Sequence, residues 1–230
     1  MSKSTGYRGE RTRVKTAKKK KPSSQKWLLR HLNDSYVAKS KIDGYRSRAA
    51  YKLIDINNKF KLFKKGMNVI DLGAAPGGWS AVAAKLIGSD NIDAKNKLIA
   101  IDLLAIDELP GVVFYQKNFF DDDIKDLIQK NLDGNLIDVV LSDMAANTTG
   151  HKSTDNLRTV MLCEAAFEFA VQLLKPGGHF VAKIFRGGAE GELLDRAKRN
   201  FKKVKHFKPD ASRKESSEFY LIAMDKKEAN

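Results

Sequence analysis

Cysteine is nearly absent from this chain, and the single one, Cys163, excludes an internal disulfide framework and a cysteine-rich zinc site. It stands in an apolar, helix-like stretch and reads as a buried small hydrophobe. No apolar run is long enough to span a bilayer as a helix. Residues 1–26 start basic but have no apolar core, so they do not read as a secretory signal, and a cytoplasmic protein is the expectation. A mitochondrial leader is the weaker alternative, because the basic stretch KTAKKKKPSS has no amphipathic period. Acids are in deficit: 28 Asp and Glu face 42 Lys and Arg, for a formal net charge of +14 and a pI near 9.7. A polyanionic partner follows, nucleic acid ahead of a membrane surface.

The 230 residues, 42% of them hydrophobic, are enough for a substantial core. Residues 1–26 carry ten Lys and Arg against the single acid Glu10. They read as a basic arm, disordered in isolation, that either solubilises the chain or lies along a phosphate backbone. Residues 27–226 read as one domain, and a monomer is the expectation.

The most informative stretch is DLGAAPGGWS, residues 71–80. It follows the apolar Met67-Asn68-Val69-Ile70 and precedes Ala81 to Ile87, whose composition is strongly helical. Strand, glycine-rich turn and helix make the first crossover of a parallel α/β sheet, where backbone approaches a nucleotide-like ligand. A dinucleotide site needs G-x-G-x-x-G. Here Gly73 is followed by Ala74-Ala75-Pro76 and only then by Gly77-Gly78, so the second glycine is missing and a ligand without a pyrophosphate fits better. The turn resembles that of class I S-adenosylmethionine methyltransferases, and the ten-residue string resembles the FtsJ/RrmJ-like ribose 2′-O-methyltransferases. That resemblance implies a Rossmann-like sheet, mostly parallel with one antiparallel strand and helices on both faces.

The remaining elements follow in order. Trp27, Leu28, Leu32, Tyr36 and Val37 predict an amphipathic helix over 27–40, ended by Gly44. A second helix follows, with Ala49, Ala50, Leu53 and Ile54 buried. Strands are predicted at 97–102, 112–115, 136–143, 179–185, 201–207 and 217–224. Helices are predicted at 121–131 and 190–200, with a long one capped by Asp155 and carrying Leu157, Met161, Ala165, Phe169 and Leu173 along its core face. Lys175-Pro176-Gly177-Gly178 ends it. His151, in the polar loop 148–155, reads as incidental. Lys183 is the most anomalous residue: a lysine inside an apolar strand, near the carboxyl end where open parallel sheets bind ligands.

The resemblance runs from about Trp27 to Ala223 and implies roles residue by residue. Arg46 to Leu53 resembles the segment bearing a first catalytic lysine, Lys52. Asp143-Met144-Ala145-Ala146-Asn147 resembles an Asp-Met-Ala-Pro-Asn signature with Ala146 in place of proline, and Glu218 stands at the last catalytic position. The implied tetrad is Lys52, Asp143, Lys183 and Glu218, with Lys183 as proton acceptor. Its neutral form would be favoured by burial and by the ammonium of Lys52. Gly73, Gly77, Trp79, Asp102, Asn118 and Asp143 would hold S-adenosylmethionine, with Asn118 where the family usually has aspartate. No metal is required. Large-subunit ribosomal RNA is the implied substrate, tRNA the alternative. A nicotinamide oxidoreductase would need the missing glycine, and a non-catalytic ribosome-assembly factor would not need the tetrad.

Overall fold

The computed structural model describes residues 25, 28–29, 32–146, 149–185 and 190–228. The expected basic arm, Gln25 aside, and Trp27 lie outside the described residues. Seven strands form one sheet: β1 Val69–Leu72, β2 Leu98–Asp102, β3 Val112–Gln116, β4 Ile137–Ser142, β5 Leu174–Phe185, β6 Phe201–Phe207 and β7 Glu218–Lys226. Their spatial order is β3-β2-β1-β4-β5-β7-β6. Neighbours from β3 to β5 are parallel, and β7 runs antiparallel to both β5 and β6. This is the expected mostly parallel sheet with one antiparallel strand.

The helices that cover it among the described residues include α1 Ser35–Ile42, α2 Ala49–Phe60, α3 Gly78–Ile87, α4 Ile124–Leu132, α5 Lys152–Leu173 and α6 Glu190–Asn200. The central strands β1 and β4 are buried at every position, as a parallel sheet covered on both faces requires. Period-two alternation then divides the core. Val69, Val139, Leu141, Val181 and Ile222 pack against α2 and α3 with Leu53, Ile56 and Ile87. Ile70, Val140, Phe180 and Leu221 face Ile128 of α4, Phe167 of α5 and Leu193 of α6. Phe167 and Phe180 meet edge to face at 5.6 Å, and burial of each contributes on the order of 2–3 kcal/mol.

Three expectations need correction. The helix predicted over 27–40 is interrupted at Asp34, whose carboxylate accepts from the Tyr36 amide and caps α1. A side chain that satisfies an orphan amide starts a new helix there. Helix α5 starts at Lys152, so Asp155 lies in its first turn and reaches back to the Thr149 and Gly150 amides. Its core face is also different: Leu157 and Met161 are 53% and 59% exposed, while Val160, Cys163, Phe167 and Ala170 are buried. A strict four-residue spacing advances about 40° per step on a 3.6-residue helix. Counting back from buried Phe169, Leu157 has rotated about 120° off the core.

Candidate active site

The carboxyl ends of the parallel strands share one rim of the sheet, and β7, running the other way, brings its amino end to the same rim. In the β4/β5 register Ser142 stands beside Ala182, so the next residues, Asp143 and Lys183, come level. In the β5/β7 register Lys183 faces Tyr220, and Phe185 faces Glu218. Lys52 enters from α2, where it is 9% exposed. The tetrad is thus assembled from three strands and a helix.

Its members form two ion pairs. Lys183 Nζ lies 2.9 Å from Asp143 Oδ1 and donates to the Asp143 carbonyl at 2.7 Å. Lys52 Nζ lies 3.0 and 3.1 Å from the two Glu218 oxygens. The lysines therefore each face a carboxylate. Burial pushes the Asp143 carboxyl up, but the Lys183 and Lys52 ammoniums and hydrogen bonds from Lys183 and Tyr220 outweigh it and leave it below the usual carboxylate range. Tyr220 Oη donates to Asp143 Oδ1 at 2.7 Å. Burial, then the charges of Asp143 and Glu218, holds that phenol far above its ordinary value, so it remains a donor.

Beside this cluster a cavity of about 480 Å³ opens between the ends of β1, β2 and β4, lined by Gly73, Asp102, Asn118, Phe120, Asp143 and Met144 among others. Four of the expected cofactor residues are there. Gly73 has φ +73°, and a side chain on it would run into Met144, so the backbone itself forms the floor. The Asp102 oxygens accept from the Ala75 and Leu104 amides, each at 2.8 Å. A carboxylate has about four lone-pair sites, so it retains capacity for hydroxyls. Asn118 Oδ1 accepts from the Phe120 amide at 3.2 Å. Gly77 and Trp79 do not line the cavity. Gly77, φ +98°, is backed by Leu109 and Arg46; the Trp79 ring is 2% exposed, lies 5.5 Å from the Tyr220 ring and donates to the Ala49 carbonyl at 2.9 Å. Both belong to the start of α3, behind the cavity lining.

Residues 45–226 match the model of the FtsJ-like methyltransferases. The chain belongs to that family. It is 61% identical over 223 residues to the ribosomal RNA large subunit methyltransferase E of Rickettsia rickettsii, covering 97% of this chain and 98% of that one. The protein of the same name from Rickettsia bellii is 60% identical over the same shares. Among solved structures, a Plasmodium falciparum protein assigned as a ribosomal RNA methyltransferase superposes with a TM-score of 0.69 at 31% identity, covering 79% of this chain and 98% of that one. Among the described residues of this FtsJ-like methyltransferase, no helix is long and apolar enough to cross a membrane.

Four supporting residues escaped the sequence reading. Tyr220 shares a strand face with Glu218, and a buried tyrosine hydroxyl needs a partner, a signal the period-two pattern carried. Asp71 opens the glycine-rich string yet is wholly buried. Its Oδ2 accepts from Ser80 at 2.6 Å and its Oδ1 has no partner among the described residues; burial pushes its carboxyl up to about 7. Arg46 donates at 2.7 Å to the carbonyls of Asp107 and Glu108, tying down the loop after β2. Asp34 holds Arg48 Nη1 at 2.6 Å and Arg213 Nε at 3.4 Å. Those arginines lie four residues before Lys52 and five before Glu218, so one carboxylate clasps the two segments that deliver the second ion pair.

Proposed function

We propose that this FtsJ-like methyltransferase moves the methyl group of S-adenosylmethionine to the ribose 2′-hydroxyl of a uridine in large-subunit ribosomal RNA, acting as a monomer on the assembled particle. The observation that carries the reading is the meeting of two buried lysine–carboxylate pairs with a cavity whose wall includes one of those carboxylates, Asp143. The relatives named above support the substrate. The catalytic domain spans residues 27–226 in this reading, and the basic residues 1–26 lie along RNA phosphate.

The residues present fit the cofactor. The Gly73 backbone gives close approach, Asp102 accepts from ribose hydroxyls, Asn118 meets the adenine, and exposed Leu103, Leu104 and Phe120 give the cavity apolar lips. S-adenosylmethionine supplies an already activated sulfonium methyl. Asp143 balances that cationic donor and orients Lys183, while Tyr220 fixes the carboxylate. Lys183 takes the proton that leaves the 2′-hydroxyl. Lys52, held by Glu218, positions the ribose oxygen, and such alignment supplies several kcal/mol of the barrier, on the order of 7–11 in the best cases.

Incubation of large ribosomal subunits, free ribosomal RNA and tRNA with methyl-labelled S-adenosylmethionine, followed by mapping of the label, tests the proposal. The expected result is a single 2′-O-methyluridine in large-subunit RNA. Label in tRNA alone would replace the substrate, and no label in any RNA would leave an RNA-binding assembly factor.

A further inference from the structure

Two lysine-rich segments far apart in the sequence meet on the outer corner of the fold. Residues 56–70 contain Lys59, Lys61, Lys64 and Lys65 and no acid; residues 201–208 contain Lys202, Lys203, Lys205 and Lys208 and again no acid. Phe60 and Phe207 join them, edge to face at 5.4 Å, and Lys59 Nζ sits 4.8 Å over the Phe207 ring. On β6, Lys203, Lys205 and Phe207 share the face turned toward α2, in register with Met224, Ile222 and Tyr220. At the far end, Lys64 is close enough for its charge to act on His179, whose Nδ1 accepts from the Asp225 amide at 3.2 Å. Asp225 lies 3.7 Å from Lys203, and its charge and that of Asp138 also act on His179. Lys59, Lys64, Lys203 and Lys205 are all exposed.

The strip has a direction. Phe207 lies opposite Tyr220 at the catalytic rim and Phe201 opposite Lys226 at the other end. Lys59 is seven positions beyond Lys52, on the same face of α2. Positive charge therefore runs from the reacting corner along the seven residues of β6, about 20 Å. Strand β6 is a sheet edge, and lysines on an edge also deter pairing with another chain. That role accounts for lysines on β6 but not for Lys59 and Lys64, which come from a different element and sit on the same corner.

We infer that the corner between the end of α2 and edge strand β6 is a phosphate-binding strip for the ribosomal RNA flanking the methylated nucleotide, contacted through Lys59, Lys64, Lys203 and Lys205. The inference rests on RNA being the substrate, as proposed above. The test compares wild type with the triple variant Lys59→Gln, Lys203→Gln, Lys205→Gln by equilibrium binding to a large-subunit RNA fragment at several salt concentrations, alongside methyl transfer to large subunits. Three lost phosphate contacts should lower the slope of log affinity against log salt by roughly two and weaken binding on the order of 10–100-fold, with kcat within about twofold at saturating RNA. Unchanged affinity and slope in a folded variant would overturn the strip and leave edge protection. A control triple, Lys95→Gln, Lys125→Gln, Lys130→Gln, removes the same charge from exposed positions elsewhere; an equal loss of slope there would also overturn it, since net charge alone would then account for the effect. Binding is read without turnover, so a wild-type protein that binds RNA but transfers no methyl group counts against the proposed activity and not against the strip.

Discussion

The two halves of the sheet treat buried charge in opposite ways. From β3 to β4 every strand is parallel, and the rim offers backbone amides and carboxylates with no ammonium among the groups set against Asp71. From β5 to β6 the antiparallel β7 delivers Glu218 and Tyr220, and each buried carboxylate there has a lysine. Asp71 and Asp143, on neighbouring strands and both deeply placed, show the result: burial pushes both up, but only Asp143 is brought back below the usual range by ammonium partners. Depth sets the penalty and pairing sets the sign. Asp71 stands without a cation, whereas Asp143, at the seam where β4 meets β5, is balanced by Lys183.

If the halves are separable in this way, Lys183→Ala should lower methyl transfer roughly 10³-fold, within the range for a lost proton acceptor, while calorimetric S-adenosylmethionine affinity changes by no more than a few fold. Comparable loss of both would merge the halves. The next largest effect concerns Asp71. Its folded-state pKa of about 7 exceeds the ordinary 3.8, so the folded protein holds a proton that the unfolded chain releases, and stability falls as pH rises from about 4 to about 7. About three units at ~1.4 kcal/mol each bound that loss at roughly 4 kcal/mol. Asp71→Asn should flatten this slope in denaturant midpoints measured across the range, and an unaltered slope would place the ionisation elsewhere. Asp102→Ala should weaken cofactor binding about 10–100-fold, from lost bonds to a charged acceptor, with kcat at saturating cofactor largely kept. Asp34→Ala should lower kcat about tenfold with cofactor affinity unchanged, because the clasp on Arg48 and Arg213 positions Lys52 and Glu218. Recovery in Asp34→Glu would separate positioning from general stability; equal losses in KM and kcat for both variants would count against it.

Much of this was legible because buried parallel strands are short apolar runs between turn signals. Val69–Leu72, Leu98–Asp102 and Ile137–Ser142 lie where composition placed them, and Lys183 announced itself as a lysine in an apolar strand. The break at Asp34 was not legible, since Leu28 to Val37 keeps an apolar spacing across it and the deciding term is one carboxylate bonding one amide. The outward turn of Leu157 and Met161 was missed because a four-residue repeat resembles a helical stripe over one turn and drifts off it over three. Tyr220 was hidden for another reason: in an apolar strand, tyrosine and phenylalanine carry the same pattern, and only the partner across the sheet, Asp143, tells them apart. The pairing of Lys183 with Asp143 needed the β4/β5 register, and that of Lys52 with Glu218 the meeting of α2 with β7, neither of which a local pattern encodes.

Among the described residues strand β7 comes last in sequence, yet it occupies an interior slot between β5 and β6, both of which are synthesised earlier. A growing polypeptide that has passed Phe207 has its cofactor turn, Asp143 and Lys183, but no Glu218 or Tyr220, and its β6 has no neighbour to pair with. The strand that fills the gap in the sheet is also the one that completes the charge arrangement. An incomplete copy that binds RNA through its lysines would occupy the substrate without modifying it.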